Sequence, residues 1–353
     1  MKVVNFPAHK YDLLEGGWPD VYFNLWKAFH ELGWEIRISP WFCSYNNGVQ
    51  EHVYIERKIR DTILPEYVNV GITDNPNHLY IFNHIHKYGI RKNNNPKGNY
   101  NLFIKPSGPG ADHFTIDELG YAAHSSITYK KPNYESTPYI DFFNNTLPHW
   151  INDKINKWDT DNNVQEFSKP SVELPENHIL FVGQMPGDET CSIFSFGDHW
   201  HKFKTLVEVL ETDDPVVIKL HPYMKHENAK AWAESDMIQL DNVIKHWESL
   251  GHIVLQGFES IHDVLPKSKV AIIECSSAGI ECLMHNVPII SYGYPEYHWV
   301  TKDLRHAINL TKYTKDLSWY NEHEAKSWMA WYATDYLCTD FKSPFSIASS
   351  SSL

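Results

Sequence analysis

The chain has 353 residues, enough for about two domains with a hydrophobic core each. Its 31 basic and 44 acidic residues give a net charge of −13 with histidine neutral, which argues against sequence-independent nucleic-acid binding. Because no run of 18 apolar residues occurs and the N-terminus lacks the apolar core of a signal peptide, we expect a soluble, cytoplasmic protein. The five cysteines are scattered, and Cys275 and Cys282 lie in apolar segments, which predicts reduced, buried thiols.

The first elements along the chain form a βαβ unit. Asp20 can cap a helix that ends at Gly33, and a polar loop with Gly16 and Gly17 precedes this helix. Strands are predicted at 2–6, 35–39, 79–83 and 101–105. This alternation predicts a parallel α/β sheet. Gly16 and Gly17 are candidate cleft residues because glycine lets a substrate approach the backbone, although a flexible turn explains them equally well.

A second α/β series follows the polar stretch 149–176, which we interpret as a helix and then a linker. Its strands are predicted at 178–182, 216–220, 252–255, 270–273 and 287–291, and its helices at 203–210, 229–250, 260–267 and 280–284. A last helix at 322–337 carries aromatic residues on one face. We therefore predict an N-terminal domain over 1–170, a second domain over 171–320, a C-terminal helix over 321–342 that can return to the first domain, and a disordered tail over 343–353.

The loop between the strands at 270–273 and 287–291 predicts a phosphate site. It contains Ser276 and Ser277 at the start of a helix, where free backbone N–H groups and the macrodipole favour an anion. Glu281, farther along this helix, can accept both hydroxyls of a ribose, or it can simply complement the helix dipole.

A second polar group follows the strand at 216–220. Side chains alternate along a strand, so Lys219 and His221 share one face, and Pro222 ends the strand. Ligands of open α/β sheets bind at the carboxyl ends of strands. We expect the Ser276 loop to follow the neighbouring strand, so that His221 and the two serines together bind a nucleotide. The alternative is that His221 is a core or helix-capping residue.

Three segments together resemble the capsule polysaccharide biosynthesis family. They are GQMPGD at 183–188, KLHP at 219–222 and CSSAGIECLMHNVPIISYGYPEY at 275–297. That family includes Kdo transferases, looks like GT-B glycosyltransferases, and shares the HP and Ser-Ser motifs with bacterial sialyltransferases that use CMP-activated sugars. The resemblance covers residues 183–305 well and the N-terminal half weakly.

The resemblance implies a GT-B fold, with two Rossmann-like domains whose parallel sheets face a cleft. It assigns the CMP phosphate to His221, Ser276 and Ser277, the nucleoside side to Gly279 and Glu281, and a glutamine-containing cleft loop to Gln184 and Asp188. Lys219 joins this set as a neighbour of His221. GT-B enzymes work without a carboxylate-bound metal, so no metal and no cofactor are expected.

The base is assigned by a less perfect match. The family places an acid near a glycine in the N-terminal domain, and the closest match here is Ile116-Asp117-Glu118-Leu119-Gly120, with Leu119 inserted. We predict that Asp117, or else Glu118, takes the proton of the acceptor hydroxyl. The loop 105–110, which follows a strand, suggests that these acids lie near a strand's carboxyl end. Ordinary helix-capping carboxylates are the competing interpretation.

Other patterns carry less information. The HxH spacings at 84–86 and 199–201, the second flanked by Asp198, resemble metal sites, but a chain with 21 histidines produces such pairs by chance. No GxSxG, GxxxxGK[ST] or GxGxxG motif occurs, so serine-hydrolase, P-loop and dinucleotide-binding functions lack their fingerprints.

We therefore predict a metal-independent glycosyltransferase that moves Kdo or a related acidic sugar from a CMP-sugar to a glycan or glycolipid acceptor in surface polysaccharide biosynthesis. No nucleic-acid partner is expected, and at most peripheral association with the inner face of the membrane. Two alternatives remain. One is a GT-B transferase or epimerase that uses a UDP- or GDP-sugar, and the other is a non-catalytic nucleotide-sugar-binding subunit without a working base.

Overall fold

The protein folds into two compact units. The computed structural model describes residues 2–6, 19–38, 68–71, 75, 77–83, 100–106, 113–153, 168–185, 190–191, 199–225, 240–304 and 306–338. The first unit comprises Met1–Tyr121, Lys157–Asn163 and Asp335–Leu353, and the second Ala122–Asn156 and Val164–Thr334. The second unit thus begins ahead of the boundary that we predicted at residue 170, and the residues from Asp335 on belong with the first.

The first unit contains a six-stranded sheet in the order β3-β2-β1-β4-β5-β6. Its strands are β1 (Val3–Phe6), β2 (Glu35–Ile38), β3 (Val68–Val70), β4 (Leu79–Asn83), β5 (Tyr100–Pro106) and β6 (Phe114–Asp117). The first five strands are parallel, and β6 runs antiparallel to β5. The expected parallel sheet is therefore present, with one antiparallel strand at its edge.

Helix α1 (Pro19–Glu31) covers one face of this sheet. Trp26 and Phe29 lie three residues apart and are fully buried, with their rings edge-on to Phe6 of β1 at centroid distances of 6.1 and 5.9 Å. Each such side chain contributes about 2–3 kcal/mol when it leaves water. Gly33 follows the helix with φ of +78°, a left-handed conformation that commonly ends helices.

The second unit contains a six-stranded, fully parallel sheet in the order β12-β11-β10-β7-β8-β9. Its strands are β7 (His178–Val182), β8 (Val216–Lys219), β9 (Ile253–Leu255), β10 (Ser268–Ile273), β11 (Ile289–Ser291) and β12 (Lys302–Asp303). In both sheets the chain builds three strands to one side of the centre and then returns to build the other side. This is the doubly wound order of Rossmann-like domains, so that part of the fold prediction is confirmed.

The second unit also contains several α-helices. They are α2 (Ser126–Tyr129), α3 (Leu147–Asn152), α4 (His199–Val209), α5 (Leu240–Ser249), α6 (Ile261–Val264), α7 (Ala278–Met284), α8 (Leu310–Lys315) and α9 (Glu322–Trp331). Trp200 and Phe203 of α4 pack with Trp247 of α5 against alternate strand residues such as Ile218 and Ile272. No described helix is both long and apolar enough to cross a membrane.

The last helix follows the predicted pattern. Ala325, Trp328 and Met329 are buried, as expected for its apolar face. The helix continues as a π-helical turn at Tyr332–Tyr336, and Tyr332 stacks on Trp328 with ring centroids 4.9 Å apart. After this turn Cys338 pairs with Phe114 at the start of β6. The predicted tail at 343–353 lies outside the described residues.

Candidate functional site

The central strands of the second sheet define the expected ligand position. From β7 the chain builds β8 and β9 on one side, and it then crosses back to place β10 on the other side of β7. Ligands of open α/β sheets bind beyond the carboxyl ends of strands where the winding direction changes in this way. Gln184 follows β7 and Ser276 follows β10, so both lie at this position.

The strand order corrects one expectation. Val182 of β7 is in register with Ile273 of β10 on one side and with Lys219 of β8 on the other. The strands that lead to Ser276 and His221 are therefore not neighbours, because β7 lies between them, and two strand spacings amount to about 10 Å. The missing signal was the crossover, which local sequence patterns do not encode. A ligand that contacts both residues must pass over the end of β7.

The Ser276 loop is a rigid turn. The backbone oxygen of Ser276 accepts hydrogen bonds from the Tyr297 hydroxyl at 2.6 Å and from the Gly279 N–H at 3.0 Å. The Ser276 Oγ accepts from the Ala278 N–H at 3.3 Å, and Ser277 is the N-cap residue of α7. Two hydroxyls and the first turn of a helix therefore stand together at the end of β10.

Gly279 has a packing reason to be glycine. A Cβ built at this position would overlap the phenol ring of Tyr297. Tyr297 is fully buried, and its role was not foreseen; the only signal for it is its place in the 275–297 motif. The predicted contact of Gly279 with a nucleoside remains a prediction.

Glu281 lies on the buried side of the same helix. Its side chain is 7% exposed. Burial raises the pKa of Tyr297, and the nearby carboxylates of Glu296 and Glu281 raise it further. Glu281 therefore belongs to a buried acidic environment around Tyr297, and its predicted contact with ribose remains a prediction.

Gln184 presents an unused hydrogen-bonding atom near the centre of the site. Its side-chain Nε2 donates to the Thr190 Oγ1 at 2.8 Å. Within the described chain its Oε1 has no hydrogen-bond partner, although the residue is only 9% exposed. Because Gln184 follows the strand between those of Ser276 and His221, its side chain lies at the centre of this group, with the amide oxygen itself buried.

Lys219 is held by the loop after β9. Its ammonium lies 3.4 Å from the Gly257 carbonyl oxygen and 3.9 Å from a carboxylate oxygen of Glu259. Burial lowers the pKa of Lys219 to about 8, against the opposing effect of Glu259. The Lys219 charge is therefore largely directed towards Glu259, on the side of β8 away from β7.

His221 is half-buried at the turn after β8. Leu220 belongs to the core beneath α4 and α5. His221 lies beyond the last residue of β8, and its predicted orientation towards the opposite face remains a prediction. The His221 carbonyl accepts the Met224 N–H at 2.9 Å in the 3-10 turn Pro222–Lys225. This turn fixes the backbone from which the imidazole projects.

The predicted base lies in the first unit, within a tight turn. Asp117 is buried, and its Oδ1 accepts the N–H groups of Leu119 at 2.8 Å and Gly120 at 3.2 Å. Its Oδ2 accepts the Tyr336 hydroxyl at 2.9 Å. These bonds give Asp117 a structural task, and its predicted role as base remains a prediction.

The direction of β6 also bears on this assignment. Because β6 runs antiparallel, Asp117 pairs with Phe103, and Phe114 pairs with Pro106 at the end of β5. Asp117 therefore lies three residues, about 10 Å, short of that end. The residue that precedes β6 there is His113, which is buried, whereas Glu118 is exposed.

Several predicted residues lie outside the described part of the chain. They are Gly16, Gly17, Asp188, Asp198 and the HxH pattern at 84–86. Among the residues that are described, no group of three or more His, Cys, Asp or Glu side chains could hold a metal ion. Cys275 and Cys282 are free and buried, which confirms their predicted state.

The comparisons with known proteins agree with this architecture. Residues 112–327, more than half of the chain, match the family model described as capsule polysaccharide biosynthesis protein. No curated protein matches the sequence. Among solved structures, Thermosulfurimonas dismutans KpsC, a β-Kdo 2,7 transferase, is similar over 96% of this chain and 92% of its own, with 11% identity and a TM-score of 0.51.

Two further similarities are weaker and carry no argument. The Thermosulfurimonas dismutans KpsC β-Kdo 2,4 transferase has 15% identity over 74% of this chain and 82% of its own, with a TM-score of 0.48. Anabaena Alr3699/HepE in complex with UDP has 8% identity over 99% of both chains, with a TM-score of 0.43. The likeness to the 2,7 transferase concerns the fold, and it supports the predicted pair of Rossmann-like domains.

Proposed function

The chain belongs to the capsule polysaccharide biosynthesis family, whose members are glycosyltransferases, and we propose that it transfers Kdo or a related acidic sugar from a CMP-sugar to a glycan acceptor. The observation that carries this proposal is the group of side chains at the carboxyl ends of three adjacent strands. Ser276 follows β10, Gln184 follows β7 and His221 follows β8. A nucleotide donor is large enough to pass over the end of β7 and contact all three.

In the proposed reaction the acceptor hydroxyl oxygen attacks the anomeric carbon of the donor sugar. The bond between that carbon and the phosphate oxygen breaks, CMP leaves with the electron pair, and a base takes the hydroxyl proton. The two serine hydroxyls and the His221 imidazole donate to the phosphate oxygens, where negative charge develops. Donors held in place before the reaction stabilise this charge without reorganisation, and we expect no metal ion to be needed.

A panel of nucleotides tests this function. We expect CMP to raise the melting temperature of the purified protein, and UDP, GDP and ADP to have little effect. A ligand that binds only the folded state stabilises that state by about 2.7 kcal/mol at a concentration of 100 times Kd. Differential scanning fluorimetry measures this shift. A shift with UDP or GDP but not with CMP would contradict the CMP-sugar assignment, and no shift with any nucleotide would contradict the transferase proposal.

Asp117→Asn tests the proposed base. Replacement of the carboxylate by an amide weakens its hydrogen bonds with the turn and with Tyr336, so we expect a stability loss of about 1–2 kcal/mol. If Asp117 is the base, kcat also falls, by roughly 10²–10⁴-fold. The assay is run below the melting temperature of the variant, so that the protein is folded. The rate of CMP release measures the rate of sugar transfer.

Tyr336→Phe is the matched control for this substitution. It removes the hydroxyl that donates to the Asp117 Oδ2 but keeps the carboxylate. We expect it to reduce stability to a similar degree while kcat stays near that of the wild type. If Asp117→Asn also retains its kcat, Asp117 is not the base, and Glu118→Gln is the next substitution to make; if both variants retain their kcat, the base assignment is wrong.

A further inference from the structure

A cavity lies within the second unit, between helix α4 and the ends of β11 and β12. Its volume is about 540 Å³, within the range of small-molecule sites. The wall on the α4 side includes His201, Lys202 and Thr205. The facing wall is formed by the segment 292–294 and by Asp303, Leu304 and Ala307.

The walls of the cavity combine three kinds of contact. Tyr294, which is 41% exposed, contributes an aromatic ring to the lining. The Asp303 carboxylate accepts hydrogen bonds, whereas the side chains of His201 and Lys202 on the other wall can donate them. A flat heteroaromatic ring with an amino group at one edge and a carbonyl at another matches this arrangement.

Hydrogen bonds connect the 292–294 wall of the cavity to the loop that carries Ser276. The Tyr292 N–H donates to the Ile273 carbonyl at 3.0 Å, and the Ser291 Oγ donates to the Glu274 carbonyl at 3.1 Å. Gly293 packs so closely that an added Cβ would lie 2.6 Å from the Cys275 Sγ. The cavity therefore adjoins the loop at which the proposed function places the donor phosphate.

We propose that this cavity holds the nucleobase of the donor, and that Asp303 selects cytosine by accepting a hydrogen bond from its exocyclic amino group. Uracil has a carbonyl oxygen at the same ring position, so its lone pairs would face the Asp303 carboxylate. This inference rests on the proposed function.

Binding of CMP and UMP to the full-length protein tests the inference by isothermal titration calorimetry. We expect the wild type to bind CMP with a Kd about tenfold or more lower than its Kd for UMP, because a hydrogen bond to a charged group contributes that much to binding. Asp303→Asn should reduce this preference to about threefold or less, because an amide can also donate to the uracil carbonyl. Tyr294→Ala should weaken the binding of both nucleotides to the same degree, by about threefold to tenfold in Kd, because the aromatic contact is lost.

Asp213→Asn is the matched control, because Asp213 is an exposed acid in the turn before β8, outside the lining of the cavity. It should leave both affinities unchanged. If CMP binds but neither Asp303→Asn nor Tyr294→Ala alters binding in these ways, the base lies elsewhere and the inference is wrong while the proposed function stands. If neither nucleotide binds the wild type, the proposed function fails and the inference with it.

Discussion

Gly279→Ala is expected to destabilise the protein by about 3 kcal/mol, the upper part of the usual range for overpacking. The added methyl group would overlap the ring of Tyr297, which is fully buried. The ring has little room to move, since its hydroxyl is bonded to the Ser276 carbonyl and its edge meets Trp328 at a centroid distance of 6.3 Å. Urea denaturation followed by tryptophan fluorescence measures the loss.

Gly257→Ala serves as the matched control for this substitution. A Cβ at Gly257 would meet its nearest neighbour, a Glu259 carboxylate oxygen, at an ordinary distance of 3.7 Å. In a variant that already carries Tyr297→Ala, we expect Gly279→Ala to cause little further loss of stability. The clash is then absent, so the effects of the two substitutions are not additive. Equal stability of the two single glycine variants would show that the Tyr297 ring gives way.

His221→Ala and Ser276→Ala are each expected to lower kcat by about 10²–10³-fold, the usual effect of removing one preorganised donor from a developing charge. Both substitutions should also reduce the melting-temperature shift that CMP produces. Among the described residues, the Ser276 Oγ accepts a single long bond of 3.3 Å from the Ala278 N–H, so its loss should leave the fold of the loop intact. CMP release and fluorimetry with CMP provide the two measurements.

Matched controls are available on helix α5 in the same unit. His246 and Ser249 are exposed, and the Ser249 hydroxyl donates only to the His246 carbonyl at 2.7 Å. Alanine at either position should leave kcat and the CMP shift unchanged. If His221→Ala and Ser276→Ala stay within threefold of wild-type kcat while folded, the phosphate assignment fails.

Local patterns were sufficient to predict most of the strands. Every strand predicted from the sequence is present, with ends shifted by at most two residues. Buried parallel strands such as β7 and β10 consist of continuous apolar runs, which are visible in the sequence alone. The short strands β3, β6 and β12 have no such run, so all three were missed.

Contacts between distant residues were beyond the reach of local patterns. Periodicity does not reveal that β7 separates β8 from β10, because strand order depends on which way each crossover turns. It does not reveal that Tyr297 requires glycine at 279, because this contact joins helix α7 to the segment after β11. The motif residues all follow strands of the second sheet, and their positions relative to one another came only from the fold.

The pairing at the start of β6 has a consequence for how the chain folds during synthesis. Phe114 exchanges backbone hydrogen bonds with Cys338, at 3.1 and 2.8 Å, and Asp117 receives its bond from Tyr336. Domains usually fold in order as they leave the ribosome. Here the N-terminal part of the chain cannot complete its own hydrogen bonds until residues more than 200 positions later have emerged.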